Sequence, residues 1–245
     1  MLLLVLTTGG ALQAQTQVIA HRGFWTAQGS AQNSLAALLK ADSIGCYGSE
    51  FDLWLTADGE VVVNHDSTFK GVTVQDATLE ECTALTLDNG EPMPTLKQYL
   101  DLAKTLKTSL IVELKEHRTP EQETQAVEQI VHLIKQAGLE ERTEYISFSR
   151  HAVTEFIRLA PAGTPVYYLN GDLSPQELKA MGCAGADYHY SVFRKHPEWI
   201  AQCHELGLKV NVWTVNKKKD MRRLIKKGVD FITTNDPLLL QKLLK

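Results

Sequence analysis

Short apolar strands alternate with helix-patterned stretches along nearly the whole of this chain, and that alternation restricts the fold more than any single motif does. Residues 17–21 form an apolar run. Residues 33–43 then place Leu35, Leu38 and Leu39 at helical spacing, and residues 48–56 are strand-like again. A helix pattern over 95–105, a nearly continuous apolar strand over 109–114 and an amphipathic helix over 120–137, stopped by Gly138, continue the series. The second half repeats strand then helix: 145–148 and 152–159, 165–169 and 175–181, 186–190 and 196–205, 209–215 and 217–227, 229–233 and 237–244. Strands separated by helices pair in parallel, and eight such units in about 230 residues fit a closed (β/α)8 TIM barrel. A doubly wound open sheet is the rival, but no G-x-G-x-x-G follows the first strand. Residues 67–94, irregular and polar, are longer than most connections and are expected to be a small insertion or cap loop after the second strand.

Within that frame, residues 47–66 (YGSEFDLWLTADGEVVVNHD) concentrate the chemistry. Side chains alternate faces along a strand, so Glu50 and Asp52 point the same way, about 6–7 Å apart. Phe51, Leu53 and Trp54 leave no clean polar face, so the strand reads as covered on both sides, and buried acids need a cation or hydrogen-bond donors. The Asp58-Gly59 turn folds the chain back through 60–64 and delivers His65 and Asp66 beside the carboxylates.

A barrel carries its working residues at the C-terminal ends of its strands. There the first strand offers His21, Arg22 and Gly23, the second Glu50 and Asp52, the third Glu113 followed by Lys115, and the seventh Trp213. Glu50, Asp52 and Glu113 are hard oxygen ligands suited to Ca²⁺ or Mg²⁺ rather than zinc. Arg22 has the planar fork that phosphate accepts, and Lys115 adds a second positive charge. His21 and His65 titrate near neutrality and suit general base and general acid. Singly, each has a plainer structural reading: strand acids commonly face solvent, strand-end histidines are commonly structural, and a Trp in an apolar strand is usually core. His189 and His196 are not grouped with the site.

Composition excludes other classes. A net charge of −4, with acids and bases spread along the chain, gives no electrostatic case for nucleic acid or for a polybasic membrane contact. Residues 1–15 carry no charged side chain and open on an apolar run over 2–6, followed by small residues. They resemble a secretory signal peptide lacking a basic start, too short to span a bilayer. They predict export to the periplasm or the exterior, with 16–245 as the barrel. Cys46, Cys82, Cys183 and Cys203 form no CxxC pair and read as small buried apolar residues, with a Cys183–Cys203 disulfide open to an oxidising compartment.

Taken together, HRG at 21–23, Asn33-Ser34, EFD at 50–52, DG at 58–59 and HD at 65–66 resemble the glycerophosphodiester phosphodiesterases. So do MPTL at 93–96, ELK at 113–115, VNVWTVN at 210–216, GVD at 228–230 and NDP at 235–237, a set running from about 18 to 237. The resemblance implies a TIM barrel that hydrolyses glycerophosphodiesters to glycerol 3-phosphate and an alcohol such as choline, ethanolamine or glycerol. It implies Ca²⁺ or Mg²⁺ on Glu50, Asp52 and Glu113, with His21 and His65 as the acid–base pair. Arg22 and Lys115 would be phosphate ligands, and Trp213 an aromatic on the glycerol. Attack by the neighbouring glycerol hydroxyl, then opening of a cyclic phosphate by water, is the implied route. Where the family usually has a glutamate before Asn33-Ser34, this chain has Gln32, so altered affinity with retained activity is expected. A phospholipase-type diesterase would want an apolar rim that the polar 67–94 segment does not provide, and a non-catalytic phosphate-binding barrel would lack part of the histidine and acid set.

Overall fold

The computed structural model describes residues 15–245; most of the segment expected to be a signal peptide lies outside the described residues. In chain order the elements are β1 (Gln17–Ala20), α1 (Leu35–Ser43), β2 (Gly48–Leu55), β3 (Val61–Val63), β4 (Thr68–Phe69), β5 (Val72–Thr73), α2 (Leu79–Thr83), α3 (Leu96–Ala103), β6 (Ser109–Leu114) and α4 (Pro120–Ala137). They continue with β7 (Thr143–Ser147), α5 (Arg150–Leu159), β8 (Val166–Tyr168), α6 (Pro175–Met181), β9 (Gly185–His189), α7 (Val192–Lys195), α8 (Trp199–Glu205), β10 (Lys209–Trp213), α9 (Lys218–Lys226), β11 (Phe231–Thr234) and α10 (Pro237–Leu244). Strands β1, β11, β10, β9, β8, β7, β6 and β2 pair in parallel, and β2 closes on β1, making the eight-stranded barrel.

Local chemistry sets the helix starts. Ser34 caps α1 by accepting from the Ala37 N–H; Thr119 caps α4 ahead of Pro120; Ser174 forms a capping box with Glu177 ahead of Pro175; and Asp236 caps α10 ahead of Pro237. The helix expected over 196–205 begins only at Trp199, as α8, and a separate short helix, α7, precedes it. Pro197 is the cause: it has no N–H, and it drives His196 out of the helical region to φ −123°, ψ 67°.

Two apolar layers flank the barrel wall. Phe51, Leu53, Leu110, Val112, Tyr145 and Val212 point outward under the helices, with Phe51 stacked on Tyr99 at 4.2 Å and Tyr145 on Phe156 at 4.2 Å. Ile19, Ile111, Ile146, Tyr167, Leu169 and Phe231 fill the interior. A third cluster lies under the segment after β3, where Val74, Ala77, Cys82 and Met93 bury against Trp54 and Val62. That segment is more ordered than a polar loop, because its few apolar side chains have a wall to pack on. All four cysteines are buried free thiols, so the disulfide left open for Cys183 and Cys203 is not formed. Among the described residues no helix is long and apolar enough to cross a membrane.

Candidate active site

Strand β2 is buried throughout, and its alternation sends Phe51, Leu53 and Leu55 into the outer core and Glu50 and Asp52 inward. Asp52 stands opposite Glu113 in the β2–β6 register. One carboxylate oxygen from each of Glu50, Asp52 and Glu113 lies within 4.8 Å of the others, all three residues being buried. Oxygens on opposite sides of a bound Ca²⁺ are about 5 Å apart, so the spacing suits a single hard cation. Oε1 of Glu50 is buried with no hydrogen-bond partner, which is the position such an ion would satisfy.

Loop geometry fixes the surroundings. Arg22 takes φ 56° and Gly23 φ 74°, two successive left-handed residues. The turn aims the Arg22 N–H at Glu50 Oε2 (2.7 Å) and the Gly23 N–H at the Glu50 carbonyl (3.0 Å). A Cβ on Gly23 would stand 2.7 Å from Ala37 Cβ, so only glycine lets α1 approach this closely. Asn33, also left-handed at φ 62°, donates from Nδ2 to Asp52 Oδ2 at 2.8 Å. The Arg22 guanidinium donates to Gln32 Oε1, and its Nε lies 3.7 Å from Asp52 Oδ2. A neutral acceptor at position 32 therefore keeps contact with Arg22, while the charge of a glutamate is lost.

Lys115 Nζ sits 2.8 Å from Asp52 Oδ1 and 2.6 Å from Glu113 Oε1. Burial pushes Glu50 well above the usual carboxylate range, reinforced by Asp52 and Glu113, and pushes Glu113 up to about 7 against the pull of Lys115. Burial acts on Asp52 too, but Lys115, His65 and Arg22 outweigh it and hold that carboxyl below its ordinary value. Burial would lower Lys115, and Asp52 and Glu113 instead raise it.

The two histidines come from different loops, one following β1 and one following β3. His21 Nδ1 lies 2.7 Å from Asn235 Oδ1, and its Nε2 lies 3.9 Å from Glu50 Oε2. Burial, then the Arg22 charge, lowers His21 to about 4, so the ring is neutral near pH 7. The β2–β3 hairpin brings His65 back; its Nδ1 contacts Asp66 Oδ1 at 2.7 Å, and its carbonyl accepts from Trp54 Nε1 at 3.1 Å. Burial lowers His65 as well, opposed by the nearby Asp52 carboxylate.

These groups share a cavity of about 130 Å³. His21, Arg22, Glu50, His65, Glu113 and Lys115 line it, together with Ile146, Phe148, Leu169, Asp187, Trp213 and Thr233 among others. Trp213 is fixed by donating from Nε1 to the Asp187 carbonyl at 2.9 Å, and Phe148 meets its ring edge-on at 5.5 Å. Of the residues predicted for the site, all but Asp52 line this cavity; Asp52 lies behind it, in contact with Lys115. His189, set aside on sequence, packs 5.2 Å from the Trp213 ring, whereas His196 pairs with Glu198 and stacks on Trp199. Asn33 and Asn235 stood in recognised motifs without a role, and Asp187 and Phe148 carried no signal beyond their place in a strand or at its end.

The family model for the glycerophosphoryl diester phosphodiesterase family matches residues 21–239. A curated glycerophosphodiester phosphodiesterase of Caldanaerobacter subterraneus subsp. tengcongensis is 32% identical over 244 residues, covering 94% of this chain and 98% of that protein. A crystal structure of a glycerophosphodiester phosphodiesterase from Parabacteroides distasonis is 52% identical, with a TM-score of 0.92 over 94% of this chain and 97% of the other. An Oleispira antarctica phosphodiesterase, solved in complex with the product sn-glycerol-3-phosphate, shares the fold at 24% identity and a TM-score of 0.81, over 94% of this chain and 96% of that one.

Proposed function

This chain belongs to the glycerophosphoryl diester phosphodiesterase family, and on that premise we propose that it hydrolyses glycerophosphodiesters to glycerol 3-phosphate and an alcohol by histidine acid–base catalysis, with a divalent ion held by Glu50, Asp52 and Glu113. By that membership it is a phosphoric diester hydrolase. The observation that carries the proposal is the convergence at one cavity of two histidines, two cationic side chains and the Glu50 and Glu113 carboxylates, with the Asp52 carboxylate directly behind them.

An amide oxygen only accepts, so the contact with Asn235 puts the His21 proton on Nδ1 and leaves Nε2 bare. Trp25 Nε1, 3.4 Å from the same Asn235 oxygen, fits that assignment. His21 Nε2 is then the group that takes the proton of the glycerol hydroxyl next to the phosphoester as that hydroxyl attacks phosphorus. The nucleophile is already part of the substrate, which removes the entropy cost of recruiting one. His65 hands a proton from Nε2 to the departing alcohol oxygen; the Asp66 and Asp52 carboxylates favour the charged ring this needs. Arg22 and Lys115 bind and orient the phosphoryl oxygens, and Trp213 covers the glycerol carbons. Ca²⁺ or Mg²⁺, when bound, neutralises charge growing on those oxygens. Water then opens the cyclic phosphate with the histidine roles reversed.

The exposed large apolar side chains among the described residues, Leu39, Ile157 and Leu238, lie on α1, α5 and α10 and away from the cavity, which favours small soluble diesters over membrane lipids. The deciding experiment is a panel of phosphodiesters with product identification. Release of glycerol 3-phosphate from glycerophosphodiesters, with intact phospholipids untouched, is expected; cleavage confined to diesters without a glycerol group would refute the reading. Export of the chain with removal of residues 1–15 is part of the proposal, supported by their uncharged, apolar composition. A mature protein from the native host that retains Met1 would contradict it.

A further inference from the structure

Of the three acids that line the cavity, Glu50, Glu113 and Asp187, only Asp187 has no part in the proposed chemistry. Asp187 projects inward from β9, is only 1% exposed, and lines the cavity. Its Oδ1 is buried with no hydrogen-bond partner. Asn211, on the neighbouring strand, lies within hydrogen-bond reach of the carboxyl, but its amide is also engaged with the Thr233 hydroxyl at 2.9 Å. Among the described residues no cation pairs with Asp187: Lys115, the nearest ammonium on the cavity wall, is committed to Asp52 and Glu113. A buried acid without a cation or a full set of hydrogen bonds costs stability, and packing alone gives no reason to keep it.

We propose that Asp187 binds the free primary hydroxyl of the substrate's glyceryl group, which makes it a specificity-determining residue for diesters whose glycerol carries no acyl chain. The inference rests on the activity proposed above. Phosphate is anchored on the Arg22 and Lys115 side, so the glycerol carbons extend toward Trp213, Leu169 and Ile146, where Asp187 is the carboxyl they meet. Burial raises Asp187 to about 8, which keeps its proton near neutrality. A protonated carboxyl both donates and accepts, matching a hydroxyl, whereas phosphate or a second metal ion would want a cation or a carboxylate there. An ester at that hydroxyl would remove its proton and press a chain against the buried Leu169 and Ile146 wall.

The test compares kcat/KM for a glycerophosphodiester and for its 2-hydroxypropyl analogue, in which the distal CH₂OH is CH₃ and the leaving alcohol is the same. The wild type is expected to favour the glycerol compound by about 100-fold or more, because a site built around a hydroxyl rejects the analogue lacking it. In Asp187→Ala the glycerol compound should lose most of that advantage while the analogue changes by less than about 3-fold; Asp187→Asn should keep part of it. Equal losses on both substrates, the signature of a purely structural residue, would overturn the proposal, as would a wild type that does not discriminate. Should Asp187→Ala not fold, Asp187→Asn and the wild-type comparison decide alone. A wild type that hydrolyses neither compound would refute the underlying activity and this inference with it, whereas equal hydrolysis of both would refute this inference only.

Discussion

Asn235 Oδ1 stands 2.7 Å from His21 Nδ1, and Asn235 is itself held by Asn216, whose Oδ1 accepts from its backbone N–H at 2.8 Å. The pair joins the end of β11 to the end of β1 and fixes the tautomer of the proposed base. Asn235→Ala should lower kcat by about 10- to 100-fold, part of the 10²–10⁴ that general acid–base catalysis supplies, with a small change in Tm. Asn235→Asp places a negative charge there, which favours the imidazolium and raises the His21 pKa. The base then stays protonated to higher pH, and the acidic limb of the kcat/KM profile should move to higher pH. A pH–rate profile on both variants checks this.

Lys115 Nζ lies within ion-pair reach of both Asp52 and Glu113. Lys115→Met leaves those buried carboxylates short of positive charge, and the chelated protein should lose about 3–5 kcal/mol of stability. Added Ca²⁺ should restore more of the melting temperature in this variant than in the wild type, because the ion takes over the missing charge. Turnover should still fall, since the proposed phosphate contact is gone. Melting curves with and without Ca²⁺ read the effect.

Gly23→Ala meets two obstacles: φ 74°, and a methyl group 2.7 Å from Ala37 Cβ and 2.8 Å from the Ala37 carbonyl carbon. Backbone strain and displacement of α1 together should cost about 2 kcal/mol or more. Arg22 and its contact with Glu50 share the same turn, so activity should fall with stability. Denaturant titration and turnover of the one variant check both.

At the opposite end of the barrel, Asp230 accepts from Lys209 Nζ (2.8 Å), His204 Nε2 (2.8 Å) and the Val210 N–H (2.9 Å). Burial works against its charge, but these donors outweigh burial and hold the carboxyl below its ordinary 3.8. A depressed folded-state pKa contributes stability that is present above the unfolded value and lost as pH falls through the folded one. Asp230→Asn should therefore destabilise by about 1–3 kcal/mol at pH 7, and the gap from wild type should begin to narrow as pH falls below about 4. Urea unfolding at pH 7 and pH 3.5 is the check.

Elements announced by local chemistry were legible in the sequence. Pro120, Pro175 and Pro237 follow capping residues, and those helices begin where the caps place them. The pieces of residues 67–94 were not, because β4 and β5 have only two residues each and owe their order to burial against Trp54 and Val62. The acids and histidines of the site were readable because a parallel barrel gathers its strand ends. The roles of Asn33 and Asn235 depend on what each side chain touches across the fold, and no periodicity encodes that. Asp187 illustrates the limit: alternation can turn an acid inward, but only the assembled interior reveals that Lys115 faces other carboxylates and leaves it unpaired.

The most direct measurement is the initial rate of glycerol 3-phosphate release by the wild-type protein stripped with a chelator and then supplied with Ca²⁺ or Mg²⁺. Loss of activity on stripping and recovery with one of the two ions is expected, with no recovery in Glu50→Gln or Glu113→Gln. A rate unchanged by chelation would contradict a divalent ion on Glu50, Asp52 and Glu113.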